Sequence, residues 1–525
     1  MQRTDLDHTD VQRRPIRRGD VDGVPVFTAD GPARTTAALV FGVGLRDETF
    51  ATIEVTHLVE HLAMSALPRT HLRCTAVTDV DTTTFSATGR PEAVGTFLEG
   101  VCRALSDLPT GRMDLEVGVL QAESCGTPHS TTGALWAARF GLTGPGLAVA
   151  AGPGPEYLTE ETVRAHARRW FTRGNAALWV SGPVPAGLRL PLPPGPRPER
   201  PVPASRPQTG PVWTRAGLSG VGLLLTAGGA SDPALTMGVE VLKERLRDTA
   251  RLARGLSYSV DSLALDLSAD RREVAVAVDA RTGQEGEVAG LLWQLYTELG
   301  ETGPTAAELA HAVEGFAEEL DADERAVVES ELADAACCAV GGLPFRPVQD
   351  VLEAWRTTSP GRVAAALRAT VPTAVLAVPE DAAYEGPGEP VERRSVCAVQ
   401  AHLPPGRTFR PRLLARLFSR EERVALVVGE WELAHRDSDG DVHAVPWERV
   451  EAALPTQDGR AVLVVGRDLC STLVDDDRYG RGAVAAVRAR VPAARWLPRP
   501  VRPVESPDDD LLAAALPAAG TPARL

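Results

Sequence analysis

Apolar and polar positions follow two different periods along this chain, and the switches between them mark out its elements. Val24-Pro25-Val26-Phe27 and Ala37 to Val43 are short, nearly unbroken apolar runs, the signature of buried strands. Thr52 to Met64 changes to helical spacing. Cys74 to Thr78 and Thr83 to Ala87 read as strands around a turn at Asp79-Val80-Asp81. From Glu92 to Leu105, residues Val94, Phe97, Leu98, Val101 and Leu105 recur on one helix face. Asp114 to Ala122 begins another helix. Thr159 is a fitting N-cap for a helix to Trp170, because Glu160 and Glu161 then stand in its first turn. Ala176 to Val180 is a buried strand. This mixture predicts an α+β layer unit.

A second unit of the same kind is expected after a proline-rich stretch. Val221 to Leu225 and Glu273 to Val278 read as strands, and Met237 to Leu252, Glu285 to Leu299 and Thr305 to Leu320 as helices. Thr305 and Glu308 fit a capping box. Further on come short strands over Arg423 to Gly429, Glu430 to His435, Val442 to Pro446 and Ala461 to Gly466. A helix over Arg481 to Val491 ends the series. The expected organisation is an α+β unit over 20–184, a Pro-rich linker over 185–211 and a second α+β unit over 212–380. A linker over 381–411, a β-rich unit over 412–499 and a disordered tail over 500–525 complete it.

With 525 residues the chain is too long for one core. The net charge of −15 argues against nucleic acid or an anionic membrane as partner. The polar start has no apolar segment of a secretory signal, and no run approaches the roughly 18 apolar residues of a membrane span. The seven cysteines lack paired spacing apart from Cys337-Cys338, so reduced thiols and a cytoplasmic setting are expected.

Chemistry enters at His57-Leu58-Val59-Glu60-His61. Residues four apart on a helix lie one turn above each other, so both imidazoles can reach one Zn2+. Glu60 sits on nearly the same face and can take a proton from a water there. Catalytic zinc commonly has three protein ligands, and Glu123 is the best candidate for the third. Glu116, seven residues earlier, points to the same side and can support a ligand or the water. Two acids seven apart are ordinarily just a solvated helix face. Ten histidines in 525 residues make the histidine string itself rare by chance.

His-x-x-Glu-His is the inverzincin order. The sequence resembles the insulinase/pitrilysin-type peptidases, including the mitochondrial processing peptidase and its bacterial relatives, over residues 20 to 380. Val43-Gly44-Leu45-Arg46-Asp47-Glu48 is similar to the family's turn before the zinc helix, and Asn175 to Gly182 to the strand closing its first domain. The resemblance implies His57, His61 and Glu123 as zinc ligands, Glu60 as general base and Glu116 as supporting acid. It implies that Thr75, Ala76, Val77 and Thr78 form the edge strand that binds substrate backbone. Arg251 with Tyr258 resembles the family's substrate-binding pair, although the residues alone read as a surface arginine and a half-buried tyrosine. The chain differs from the family at Thr75, where asparagine is usual, and in a shorter span between His61 and Glu123.

The family encloses peptides in a clamshell of four homologous domains. This chain carries two, so the resemblance implies a homodimer, with a heterodimer of related chains as alternative. Residues 412–499 resemble a pleckstrin-homology-like domain, expected to make protein contacts. The resulting expectation is a zinc endopeptidase for short or unfolded peptides, such as a leader or processing peptidase. A non-catalytic assembly subunit, or an active subunit needing a different second chain, is the rival. His129, His166 and His311 read as surface or helix-face histidines, Cys125 as a packed thiol and Asp437-Ser438-Asp439-Gly440 as a plain turn.

Overall fold

A computed structural model describes residues 16–31, 34–124, 131–150, 152–182, 184–229, 232–386, 390–393, 399–411, 423–456 and 458–497. Cys125, His129 and residues 500–525, about which the sequence raised expectations, lie outside the described residues.

The first unit is a six-stranded sheet of β1 (Arg17–Val21), β2 (Val24–Ala29), β3 (Thr35–Phe41), β4 (Arg73–Thr78), β5 (Thr83–Gly89) and β6 (Ala176–Ser181). The strand order is β1-β2-β6-β3-β5-β4, with β2 parallel to β6 and the other pairs antiparallel. Five helices accompany it: α1 (Val55–Ser65), α2 (Pro91–Ser106), α3 (Met113–Ser124), α4 (Thr131–Phe140) and α5 (Glu160–Trp170). One sheet face, through Leu39, Phe41 and Phe85, packs on Leu58 and Leu62 of α1 and Leu98 of α2.

The second unit contains β7 (Val212–Ala216), β8 (Gly220–Ala227), β9 (Val260–Ser268), β10 (Arg271–Asp279), β11 (Val375–Pro379) and β12 (Val391–Glu392). Its order, β12-β7-β11-β8-β10-β9, repeats that of the first sheet, including the parallel pair, here β7 with β11. The edge differs, since β12 runs parallel to β7 whereas β1 runs antiparallel to β2. Its helices are α6 (Pro233–Leu246), α7 (Glu285–Thr302), α8 (Ala306–Ala322), α9 (Glu324–Gly341), α10 (Val348–Arg356) and α11 (Pro360–Thr370). The predicted helix from Met237 starts earlier, at Pro233 behind an Asp232 cap, and widens after Leu246 into a π-helical turn over Arg247–Ala253.

The two units exchange helices. Leu332, Ala335, Ala336 and Val340 of α9 cover Ala38, Val40, Ala177 and Trp179 on the back of the first sheet. Leu135, Trp136, Ala138 and Phe140 of α4 cover Leu224, Ala275, Val375 and Ala377 on the back of the second. Both sheets are therefore buried on both faces, which is why β6 and β11 read as unbroken apolar runs rather than alternating ones. An ion pair spans the contact: Arg139 of α4, 2% exposed, lies 3.7 Å from Glu273 of β10, which Arg271 also engages at 2.7 Å. The proline-rich connection lies along the first unit, with Leu188, Leu190 and Leu192 in its core.

The C-terminal unit has two sheets. One holds β13 (Val399–Gln400), β14 (Gly406–Phe409), β15 (Ala425–Gly429), β16 (Glu432–Arg436) and β17 (Val442–Pro446), in the order β13-β17-β16-β15-β14. The other holds β18 (Val450–Pro455), β19 (Ala461–Gly466) and β20 (Ser471–Asp475). A short helix over Ala483–Arg488 closes their shared core. Strands β12 to β14 fall within the segment read as a linker. Among the described residues no helix is long and apolar enough to cross a membrane, and Cys74, Cys102, Cys337, Cys338 and Cys470 are free thiols.

Candidate metal centre

Helix α1 begins in an unusual way. Its N-cap residue, Glu54, has a left-handed backbone (φ 69°), costly for a residue with a side chain, and its carboxylate does not cap the helix. The capping role passes to Glu48, whose two carboxylate oxygens accept from the Glu54 and Thr56 amides at 2.9 and 2.8 Å. Glu48 is buried, and burial pushes its pKa up to about 8 against these bonds. Glu54 is thereby free to reach His57, with Oε2 2.9 Å from Nδ1.

That contact holds one imidazole edge and leaves the other facing inward. His57 Nε2 lies 3.7 Å from Glu123 Oε2, and His61 Nε2 lies 3.7 Å from the same oxygen. The two rings stand edge to face, 4.7 Å between centroids. Ligands at zinc distances of about 2.0–2.2 Å and tetrahedral angles stand roughly 3.2–3.5 Å apart, and the two histidine–carboxylate separations exceed this by only a few tenths of an ångström. Two nitrogens and one carboxylate oxygen are also a donor set suited to zinc. Glu116 Oε2 is 3.6 Å from the other nitrogen of His61, while Glu116 Oε1 accepts from Arg112 at 3.4 Å.

Glu60 belongs to the same cluster, its donor atom within 4.8 Å of those of His57 and His61. It is 6% exposed, and its Oε2 accepts from Thr78 Oγ1 at 2.8 Å. Burial raises its pKa; the Thr78 bond and the neighbouring imidazoles work the other way without cancelling it. A carboxylate held this way is a stronger base than a solvated one. For His57, burial lowers the pKa, but the Glu54 hydrogen bond and the charges of Glu54, Glu60 and Glu123 outweigh it, and the net shift is upward.

Thr78 ends β4, which is an edge strand. Residues Thr75, Ala76, Val77 and Thr78 pair with β5 on one side only, and Val77 is 53% exposed. Arg251 and Tyr258 lie in the second unit at the end of the π-helical turn, the guanidinium 4.8 Å from the ring centroid. Both are exposed.

His166 is a helix-face histidine, as expected, on α5: its Nε2 is 3.0 Å from Thr56 Oγ1 on α1, and burial lowers its pKa to about 3. His311 is exposed on α8. Asp437 forms a plain turn, accepting from the amides of Asp439, Gly440 and Asp441. Sequence reasoning missed Glu48 and Glu54. For Glu54 a signal existed, an acid three residues before a ligand histidine; Glu48 ended the turn read before the zinc helix, but nothing in it pointed to a capping role. A cavity of about 750 Å³ lined by both units holds none of the histidines, and of its charged lining Arg272 pairs with Asp266 across the wall while Arg200 turns to Asp47.

No protein-family model matches the sequence, and no curated protein matches it either. Solved structures do match. A peptidase M16 inactive domain from Pseudomonas fluorescens is 17% identical, with 71% of this chain and all of that one covered and a TM-score of 0.56. A protease from Helicobacter pylori is 13% identical, covering 70% of this chain and all of that one, TM-score 0.57. The periplasmic protease PqqL from Escherichia coli is 14% identical, covering 82% of this chain and 56% of that one, TM-score 0.55. The chain has the fold of the M16, insulinase/pitrilysin-type peptidases.

Proposed function

We propose that this chain is a zinc-dependent endopeptidase. The observation that carries the reading is the convergence of His57 Nε2, His61 Nε2 and Glu123 Oε2, with a buried Glu60 carboxylate beside them. Bound there, zinc supplies Lewis-acid polarisation of a peptide carbonyl and of water. The chain's own residues do the rest. Glu54 fixes the ring orientation of His57. Thr78 aims Glu60, which takes the proton of the attacking water and passes it to the leaving amine. The free edge of β4 takes the peptide as an added strand at Thr75 to Thr78. Arg251 and Tyr258 hold the substrate from the second unit.

Two such units form half a clamshell, so a homodimer is proposed, with a related second chain as alternative. Short or unfolded peptides fit such a chamber, and removal of leader segments in the cytoplasm is the role we favour. The pair of C-terminal sheets closed by a helix suits a pleckstrin-homology-like unit. A second reading, a non-catalytic assembly subunit, is favoured by one structural neighbour that is named an inactive domain.

The test pairs elemental analysis with cleavage of a quenched peptide library. The expected result is one zinc per chain, lost in Glu123→Gln, and hydrolysis lost in Glu60→Gln with zinc retained. Zinc without cleavage would favour the assembly subunit; neither zinc nor cleavage would remove the peptidase reading.

A further inference from the structure

Strand β19 is buried along its whole length, although it lies in a small C-terminal sheet. Its even positions, Val462 and Val464, face the C-terminal unit's own core. Its odd positions, Leu463 and Val465, face outward and are equally apolar. A module that merely hangs on a linker carries polar residues on that outer face. Here Leu463 and Val465, with Ala452 and Leu469, pack on Phe50, Ile53, Ala134, Ala137 and Leu142 of the first unit. The backbone fits as closely: the Leu142 amide donates to the Arg467 carbonyl at 2.7 Å, and Arg467 donates to Arg449 at 3.0 Å. Gly141 sits at φ +62°, where a Cβ would stand 2.1 Å from that same Arg467 oxygen, so glycine alone fits.

Phe50 and Ile53 belong to the segment that leads into α1. Both are buried, at 0% and 4% exposure, in the cluster that the C-terminal sheet completes. Glu48 lies just before them, and Glu54, whose carboxylate orients His57, just after. We infer that the three-stranded C-terminal sheet is a positioning element of the metal helix: by clamping Phe50 and Ile53 it keeps Glu54 in its left-handed conformation and on His57. Leu463 and Val465 are thus positioning residues for a centre in another unit, and the C-terminal unit is part of the catalytic architecture rather than a tethered adaptor. The metal half of this inference rests on the zinc reading above.

The two faces of β19 provide the experiment. In the full-length protein, Leu463→Ala and Gly141→Ala disturb the docked face, and Val464→Ala disturbs the unit's own core. Zinc affinity is measured by chelator competition. Hydrogen exchange over residues 48–56 is measured by mass spectrometry on metal-free protein, and Tm is recorded for each variant. Leu463→Ala and Gly141→Ala should weaken zinc about tenfold or more, as loss of a ligand-orienting contact does, and should speed exchange at Glu54 and Thr56. Val464→Ala should lower Tm without either change. The milder Leu463→Val, expected to fall between, serves if Leu463→Ala does not fold. Equal effects from both faces, or none, would overturn the inference. If wild type binds no zinc, the zinc reading fails by itself, and the exchange data still decide whether the C-terminal face controls the lead-in.

Discussion

The first and second units share a strand order but start their corresponding helices in opposite ways. Helix α6, between β8 and β9, opens conventionally: Asp232 accepts from the Ala234 amide and Pro233 takes the first turn. Helix α1, between β3 and β4, opens on a left-handed glutamate with no cap of its own and depends on Glu48 from six residues earlier. Helix α6 carries no histidine, while α1 carries two and a buried carboxylate. The difference teaches that the fold does not demand the strained start. In α1 the capping residue is given over to orienting His57, and local stability is recovered through Glu48 and the packing of Phe50.

The comparison breaks most visibly at the carboxylates. Glu60→Gln on α1 should reduce hydrolysis by about 10²–10⁴-fold, while Glu240→Gln on α6 should leave it unchanged; a peptide cleavage assay reads both. Next come the exchanged helices. Leu135→Ala on α4 and Leu332→Ala on α9 each empty a fully buried site on the other unit's sheet. Each should cost about 2–5 kcal/mol in chemical denaturation, and each should lower the stability of both units, because neither back face is complete alone.

A smaller effect concerns pH. The Glu48 carboxyl titrates near 8 when folded against an ordinary 4.5. The native state therefore holds an extra proton between those values, and this group's contribution to stability falls as pH rises through that window. Glu48→Gln should flatten that slope, measured as the difference between urea melts at pH 5 and pH 8. The smallest expected effect separates the two helix starts. Asp232→Ala should cost about 1 kcal/mol of stability. Glu54→Gly, which relieves the left-handed backbone, should cost none, yet weaken zinc about tenfold or more by releasing His57.

How much of this could be read from the chain divides along physical lines. The histidine string and the Glu116–Glu123 spacing were legible, because a single helix fixes which residues share a face. The strands β2, β3, β5 and β6 and the Thr159 cap were legible for the same local reason, and the cap bonds the Thr162 amide as expected. Helices α4 and α9 were not picked out, since their apolar residues answer to a sheet far away in sequence. The capping role of Glu48 was illegible because its partners are backbone amides, which leave no mark on side-chain pattern. The apolar outer face of β19 was visible as letters, but only the docking of the C-terminal sheet gives Leu463 and Val465 a reason.

The exchange of α4 and α9 also has a consequence for synthesis. When the first sheet has left the ribosome, Ala38, Val40, Ala177 and Trp179 have no cover until residue 340 has been made. For some 160 residues of elongation, about ten to thirty seconds at about 5–20 residues per second, the nascent chain presents a broad apolar surface. Truncation before α9 should therefore yield aggregates rather than a soluble first unit.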